Sequence, residues 1–389
     1  MSLNLKEENM KKTLSVLLVL ALAASMVFAG GTTETTTGKT LSESEAAVFA
    51  DVEPLDEKVH LTISTHAGTH HGFAIYLIEQ FGGYEKANID AEIITFSNGP
   101  VQMEALSSNS WDCGTTGIGG VLNGVLRNGC LVLGPAAWDN ASINIFAKNG
   151  TDIAQAGATT EHGVYGTADM WKGREVIVTK GTTLHYTLGL GLADLGLTLD
   201  DVKITNMDVA SANTALLAGK IDIGGVWGSY SYNEDLRKNY TKVMDANALE
   251  SNICVTLVAN PNSYTDPKKR EAIAKFVELY YKVVDWVYAD NGANLDKAGE
   301  YYTNISEQCG VTSTKEANLN ILRNDTLFTL EEAYHMFNDT TANGTSPIYE
   351  GHRGPLQFYV EKIGSYQPAD LEAFTENYFV ADIVNELYK

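Results

Sequence analysis

The chain has 389 residues, a length that suits two domains of ordinary size. Hydrophobic residues make up 44% of it and charged residues 20%, which excludes an intrinsically disordered chain. The formal net charge of −22 argues against a nucleic acid partner, and the four scattered cysteines provide neither a disulfide scaffold nor a CxxC motif.

The first 29 residues have the pattern of a secretory signal peptide. Lys11 and Lys12 precede an apolar run over residues 14–28, and the small residues Val27 and Ala29 mark a cleavage site after Ala29. A membrane anchor is the alternative, but the run is short for one. We therefore expect an exported protein, in the periplasm or on the outer face of the cytoplasmic membrane.

Residues 30–56 begin with a run of threonine and glycine that cannot bury a core, and we predict a flexible tether there. Exported lipoproteins often carry such a tether behind a lipidated cysteine. Gly30 and Gly31 stand at that place in this chain. Either the mature protein is soluble, or its sequence differs here from that of a lipidated parent.

The body of the chain shows the same α/β unit twice. Residues 105–114 align without a gap with residues 215–224, and four of the ten positions are identical. Apolar residues alternate in the predicted strands and recur at helical spacing in the predicted helices. The first copy is predicted to contain a strand at 59–64, a helix at 70–81, a strand at 89–96, a helix opened by Asn98 and a strand from Trp111. The second is predicted to contain a strand at 175–179, a helix at 184–195, a strand at 202–205, a helix capped by Ser211 and a strand at 221–223.

Two units of this kind predict two open sheets that face each other across a cleft. Ligands of such sheets bind beyond the carboxyl ends of the strands, where helix N-termini supply unpaired N–H groups and a partial positive charge. Outside the copies, Pro267 is predicted to begin a long amphipathic helix, and Thr329 with Glu332 to form a capping box. Residues 149–170 look like an insertion near the hinge.

Motifs in both copies resemble the nitrate/sulfonate/taurine group of ABC-transporter solute-binding proteins. The first copy carries Asn98-Gly99-Pro100-Val101-Gln102-Met103-Glu104-Ala105-Leu106. The second carries Gly181-Thr182-Thr183-Leu184-His185 and, further on, Gly196-Leu197-Thr198-Leu199-Asp200-Asp201-Val202. The order and spacing of these motifs carry the resemblance, which extends over residues 60–290.

The resemblance implies a two-lobed type II periplasmic-binding-protein fold. Such a fold has two open, mostly parallel α/β sheets flanked by helices, with two crossovers between the lobes. We place the crossovers near residues 146–148 and 255–258. Lobe one would then comprise residues 59–148 and 256–389, and lobe two residues 149–255.

The function that the resemblance implies is solute capture for an ABC importer. The protein is expected to be a monomer that binds a small molecule without a cofactor or metal and delivers it to the permease subunits. One alternative is an enzyme on the same fold that uses cleft histidines for acid/base chemistry on a small heterocyclic metabolite. Another is an exported sensory module without a transporter.

Candidate ligand-binding residues follow the strands of both copies. His66, His70 and His71 lie in the loop after the first strand, where imidazoles can hydrogen-bond a ligand or pair with an anion. The alternatives for these three are a zinc site, which lacks a further ligand nearby, and a solvated loop. The other candidates in the first copy are Asn98, Gly99, Thr115, Thr116, Gly117 and Trp138. Those in the second copy are Gly181, Thr182, Thr183, His185, Ser211, Asn213, Trp227 and Tyr230, and for all of these helix capping or core packing is the alternative role.

The candidate loops contain no arginine, and Lys180 lies only at their edge. A guanidinium group is the usual partner of a carboxylate or sulfonate. Without one, anion binding would depend on helix N-termini, hydroxyl groups and histidines. The ligand is therefore expected to be a weak anion, a zwitterion or a neutral small heterocycle, and the resemblance implies a sulfonate-, nitrate- or taurine-like solute.

Overall fold

The structure, a computed structural model, describes residues 41–389 and contains two five-stranded sheets. The strands of the first sheet are β1 Val59–His66, β2 Ile89–Phe96, β3 Cys113–Thr116, β4 Leu131–Trp138 and β10 Cys254–Ala259. Those of the second are β5 Asn144–Lys148, β6 Glu175–Val178, β7 Lys203–Asn206, β8 Ile223–Val226 and β9 Tyr240–Asp245. We call the part of the chain built on each sheet the first and the second lobe.

Both sheets have the same strand order. It is β2-β1-β3-β10-β4 in the first sheet and β7-β6-β8-β5-β9 in the second. In each sheet one strand, β10 or β5, runs antiparallel to both of its neighbours, and the other pairings are parallel. The predicted fold, with two mostly parallel sheets flanked by helices, is confirmed.

Helices cover the faces of both sheets, as the periodicity predicts. Before β1 there is one helix, Glu43–Ala47. In the first lobe the helices are His70–Gln80, Gly83–Lys86, Gly99–Leu106 and Ile118–Asn128. In the second lobe they are Asp152–Ala156, Ala168–Trp171, Thr183–Asp194, Val209–Leu217 and Glu234–Asn239, with 3-10 turns at Leu199–Asp201 and Gly228–Tyr232. The remaining helices are Pro261–Thr265, Pro267–Gly292, Leu295–Gln308, Lys315–Asn324, Leu330–Asn338, Pro347–Phe358, Pro368–Ala373 and Asp382–Leu387, with a π-turn at Tyr359–Ile363 and a 3-10 turn at Glu376–Tyr378.

The capping chemistry of two helices tests the sequence predictions directly. The Thr329–Glu332 capping box is confirmed, because each side chain accepts a hydrogen bond from the other residue's backbone N–H. The prediction that Ser211 caps its helix is wrong. Asp208 is the N-cap, and its carboxylate accepts the Ser211 N–H at 3.0 Å.

The chain crosses between the sheets at two connections, residues 139–143 and 246–253, which join β4 to β5 and β9 to β10. The predicted crossovers at 146–148 and 255–258 lie instead within the strands β5 and β10 that follow these connections. The lobe boundaries at 148/149 and 255/256 remain a proposal, and strand pairing favours moving them back to the connections. An apolar strand looks the same in sequence whichever sheet it joins, which explains the offset.

Residues 45–56, which the sequence assigns to the tether, pack against the first lobe instead. Phe49, Val52 and Leu55 are buried, and the Leu55 N–H donates to the Ala87 carbonyl at 3.1 Å. These apolar side chains and the ion pairs of Glu45 with Lys297 and of Asp51 with Lys282 anchor the segment. The predicted signal peptide, the cleavage site and the start of the tether lie outside the described residues.

The longest helix, Pro267–Gly292, covers one face of the first sheet. Asp266 caps it, and buried residues such as Phe276, Tyr280 and Val284 recur along one side. The Tyr281 hydroxyl donates to the Pro135 carbonyl in β4 at 2.9 Å. Within residues 41–389, no helix is both long and apolar enough to span a bilayer.

Candidate functional site

A small cavity lies between the two lobes, at the carboxyl ends of strands from both sheets. His66 ends β1, Gly117 follows β3, and Asp139 follows β4. On the other side, Thr182 follows β6 and Trp227 follows β8. The cavity measures ≈ 40 Å³, and its walls are made by His66, Thr69, His71, Asn98, Gly99, Pro100, Gly117, Gly119, Gly120, Asp139, Thr182, Thr183 and Trp227.

Two helix N-termini form the first-lobe wall. Asn98 caps the helix Gly99–Leu106, and its Oδ1 accepts the Val101 N–H at 3.1 Å. Gly117 occupies the N-cap of the helix Ile118–Asn128, where no side chain caps the helix. The first N–H groups of a helix have no partner within it, and glycines leave these groups accessible. This wall therefore offers backbone donors to a ligand.

One helix N-terminus forms the second-lobe wall. Thr182 occupies the N-cap of the helix Thr183–Asp194, but its Oγ1 donates to the Thr179 carbonyl at 2.6 Å instead of capping the helix. Gly181, in front of it, has a φ of +73°, a conformation that favours glycine. The N–H groups at this helix start also lack a partner within the helix.

The two walls touch. A Cβ atom on Gly119 would lie 2.0 Å from the Gly181 carbonyl oxygen, and one on Gly117 would lie 3.6 Å from Cγ2 of Thr183. Ser229 Oγ in the second lobe contacts the Gly68 carbonyl at 3.4 Å and Asn318 Oδ1 at 2.9 Å. The structure thus shows the cleft closed, with glycines at the tightest contact.

Two histidines on the first-lobe wall are neutral near pH 7. Burial lowers the pKa of His66 to about 4, and its Nε2 has no hydrogen-bond partner among the described residues. Burial, with His66 and His70 close by, lowers the pKa of His71 well below its ordinary value. Nδ1 of His71 is 2.8 Å from Oγ1 of Thr115, which holds the ring in place.

Asp139 is the acidic side chain in the cavity wall. Its Oδ1 accepts a hydrogen bond from Ser142 Oγ at 2.9 Å, and its N–H donates to the Ile253 carbonyl at 3.0 Å. Burial and the neighbouring Asp325 raise the pKa of Asp139 well above its ordinary value, and the Ser142 hydrogen bond acts in the opposite direction. The residue lies in the first connection between the lobes, so this connection contributes an acidic residue to the cavity wall.

Some of the predicted residues form the wall, and others stand behind it. The predicted residues in the wall are His66, His71, Asn98, Gly99, Gly117, Thr182, Thr183 and Trp227. Thr69, Pro100, Gly119, Gly120 and Asp139 also form the wall, and the sequence analysis missed them. The available signal for Asp139 was a polar residue directly after the apolar run of residues 131–138.

The predicted residues that do not line the cavity take other positions, and Oγ1 of Thr116 and Oδ1 of Asn213 are buried without a hydrogen-bond partner among the described residues. His70 Nε2 bonds the Trp138 carbonyl at 2.7 Å, and the Trp138 ring packs on Phe328. Thr115 holds His71, and Thr116 is buried beneath Gly99 and Gly120. The others are Gly181 and His185 beside the loop of Thr182, exposed Ser211, buried Asn213 and half-buried Tyr230.

The C-terminal part of the chain supports the second-lobe wall. Tyr359 is 1% exposed, and its hydroxyl donates to the Thr182 carbonyl at 3.0 Å. Its ring stacks on Tyr186, with ring centroids 5.7 Å apart. A residue from the far end of the chain therefore fixes the loop that presents Thr182 and Thr183 to the cavity.

Two further features complete the survey of sites. Within residues 41–389, no group of three His, Cys, Asp or Glu side chains is arranged to hold a metal ion. A second, open cavity of ≈ 410 Å³ lies in the C-terminal helices, and Tyr349, Arg353 and Glu376 are among the residues around it.

Comparison with known proteins gives one family and a consistent fold. The family model described as "NMT1/THI5 like" matches residues 70–293, more than half of the chain. A protein of Brucella abortus (strain 2308), named as a binding protein, is 32% identical over 148 residues, which are 38% of this chain. The match spans 41% of the length of that relative.

Two solved structures have similar folds at low sequence identity. The alkanesulfonate-binding protein SsuA from Xanthomonas axonopodis pv. citri, bound to MOPS, gives a TM-score of 0.61 at 14% identity, covering 79% of this chain and 95% of its own. The periplasmic nitrate-binding protein NrtA from Synechocystis PCC 6803 gives a TM-score of 0.62 at 12% identity, covering 86% and 89%. At these identities the similarity establishes the fold alone.

Proposed function

Since the chain belongs to the NMT1/THI5-like family, we propose that it is the extracytoplasmic solute-binding component of an ABC importer. It captures a small molecule in the cavity between its lobes and delivers it to the permease of the importer. Two of the motifs that resemble the nitrate/sulfonate/taurine group, those beginning at Asn98 and Gly181, lie at helix starts that form this cavity, which supports the same proposal.

The observation that carries the proposal is the convergence of helix N-termini from both lobes on one cavity. The helices that begin at Gly99 and Ile118 face it from the first lobe, and the helix that begins at Thr183 faces it from the second. A ligand that accepts hydrogen bonds from both walls holds the lobes together. Such a ligand shifts the protein toward the closed form, which a permease can distinguish from an open one.

The size of the cavity implies that the lobes move. A volume of ≈ 40 Å³ holds roughly three water molecules. A ligand of more than a few heavy atoms therefore needs a slightly wider cleft than this one. The two connections at 139–143 and 246–253 are the natural hinges, since the chain crosses between the sheets there.

The proposal assigns no catalytic step to this cavity. Among the described residues of its wall there is no serine or cysteine to act as a nucleophile. His66, with a pKa of about 4, is a weak base at neutral pH. The protein acts as an exported monomer that binds its solute and releases it unchanged.

A thermal-shift screen tests the proposed function. The screen covers taurine, alkyl sulfonates, nitrate, small heterocycles, amines and amino acids. A ligand at one hundred times its Kd adds about 2.7 kcal/mol of stability, which should raise Tm by several degrees. If no compound in these classes shifts the transition, capture of such solutes is contradicted.

Replacing both threonines of the second-lobe wall should weaken binding of the best compound. We expect Thr182→Ala with Thr183→Ala to raise its Kd by roughly tenfold, the effect of losing one or two hydrogen bonds. Isothermal titration calorimetry measures the change.

Thr265→Ala is the matched control, because the Thr265 hydroxyl donates to the carbonyl three residues earlier, as that of Thr182 does. Its Kd should stay at the wild-type value. An unchanged Kd in the double variant would show that the second-lobe wall does not bind the ligand.

A further inference from the structure

The cavity wall has an unusual charge pattern for a protein whose structural neighbours include sulfonate- and nitrate-binding proteins. Among the described residues of the wall, none is a lysine or an arginine. The nearest lysine in sequence, Lys180, is exposed. His66 and His71 are neutral near pH 7, so Asp139, whose pKa burial and Asp325 raise, is the side chain in the wall that gains a charge as pH rises.

The position of Asp139 leaves part of its carboxyl group for a ligand. Oδ1 is held by Ser142, whose backbone N–H in turn donates to Asp325 at 2.8 Å. This second carboxylate also accepts the Ala141 N–H, so the hinge segment 139–142 is fixed by short hydrogen bonds. No hydrogen bond from a described residue reaches Oδ2 of Asp139, and the residue faces the cavity. A hydrogen-bond donor on the ligand would pair with Oδ2 of this carboxyl group.

We propose that the solute carries a nitrogen-bound donor group, such as a protonated amine or an amidine, that binds Asp139 from within the cavity. The inference rests on the proposed function, because it concerns the same cavity. The remainder of the ligand faces the helix N-termini, whose unpaired N–H groups and partial positive charge favour a hydrogen-bond acceptor that is anionic or neutral. The geometry thus selects a cationic, zwitterionic or aminated solute over a simple sulfonate or nitrate.

The pH dependence of binding follows from the groups around Asp139. The titratable side chains near it are Asp325, His70, Tyr302, His66 and His71. Burial and Asp325 raise the pKa of Asp139, so acid keeps it protonated, and a cation binds only the ionised form. Burial lowers the pKa of His66 to about 4 and the pKa of His71 well below its ordinary value, so neither histidine contributes to the pH dependence between pH 5 and 8. Affinity for a cationic group should therefore rise with pH, and affinity for an anion should fall.

Three probes of the same shape test the inference: acetamidinium, acetamide and acetate. They are cationic, neutral and anionic, and each is small enough for the cavity. Ligand-observed NMR at millimolar concentrations gives their Kd values between pH 5 and 8. At pH 8, the upper end of this range, we expect acetamidinium to bind at least tenfold more tightly than acetate, with a preference that shrinks as pH falls toward 5. If acetamide binds more weakly than acetamidinium but more tightly than acetate, the charge contributes to recognition. If acetamide and acetamidinium have equal Kd values, the N–H donors alone suffice.

Asp139→Asn should raise the Kd of acetamidinium at least tenfold and remove the pH dependence. Asn keeps an oxygen that can accept the Ser142 hydrogen bond, so the hinge should fold normally. Asp222→Asn is the control, since it changes the net charge equally at an exposed position. The inference would be overturned if acetate bound more tightly than acetamidinium, or if the preference for acetamidinium persisted in Asp139→Asn. It would also be overturned if none of the three probes bound. If the inference fails but the thermal-shift screen finds a ligand, the proposed function still holds.

Discussion

Gly119→Ala should prevent the closed arrangement of the lobes and raise the Kd of the solute roughly tenfold to a hundredfold. The new Cβ would lie 2.0 Å from the Gly181 carbonyl oxygen, well inside van der Waals contact. The three nearest atoms all belong to the backbone of Gly181 and Thr182, so no flexible side chain can give way. The lobes must separate by more than an ångström at this point, which pulls the second-lobe wall from the ligand.

The same change should leave the fold intact. In a helix, alanine is more favourable than glycine by about 1 kcal/mol, so Tm without ligand should not fall. Gly351→Ala is the matched control, since Gly351 lies in the helix Pro347–Phe358 with no atom within 4 Å of its Cβ position. Small-angle scattering at saturating ligand should give a larger radius of gyration for Gly119→Ala than for the control. Equal radii and equal Kd values would show that closure at this contact is not needed.

Tyr359→Phe should lower the free energy of unfolding by about 0.5–1.5 kcal/mol and also weaken solute binding. The change removes the hydroxyl that donates to the Thr182 carbonyl at 3.0 Å, and the carbonyl keeps only the N–H of Tyr186, at 3.1 Å. The loop that carries the second-lobe wall then loses its support from the C-terminal segment. Urea unfolding gives the change in stability, and calorimetry gives the change in Kd.

Tyr349→Phe separates the two effects. The Tyr349 hydroxyl donates to the Phe374 carbonyl at 2.9 Å, also in the C-terminal segment but away from the inter-lobe cavity. Both variants should lose stability, whereas only Tyr359→Phe should raise the Kd. Tyr359 lies beyond residue 293, where the match to the family model ends. Equal Kd values in the two variants would show that the contact between Tyr359 and Thr182 stabilises the fold without affecting solute binding.

The sequence predicts elements whose signal is local. The strand at 89–96 has its predicted bounds, because alternation and flanking turn residues mark both ends. Asn98 caps its helix as its position before Gly99-Pro100 indicates, and the Thr329–Glu332 box forms as the motif requires. Each of these features depends on residues within one or two turns of chain.

The sequence does not reveal features that depend on distant contacts. Nothing within β5 indicates that it pairs with β8 and β9, which explains the late crossover prediction. Asp139 resembles an ordinary loop aspartate until the second lobe covers it. Tyr359 reaches Thr182 across 177 positions of sequence, and no local pattern encodes such a contact.

The most direct measurement is a crystal structure of the protein saturated with the strongest compound from the thermal-shift screen. The account predicts that the compound lies between the helix starts at Gly99, Gly117 and Thr183, with a nitrogen-bound hydrogen directed at Asp139. A compound bound instead in the C-terminal cavity beside Arg353 and Glu376, with no ligand between the lobes, would contradict it.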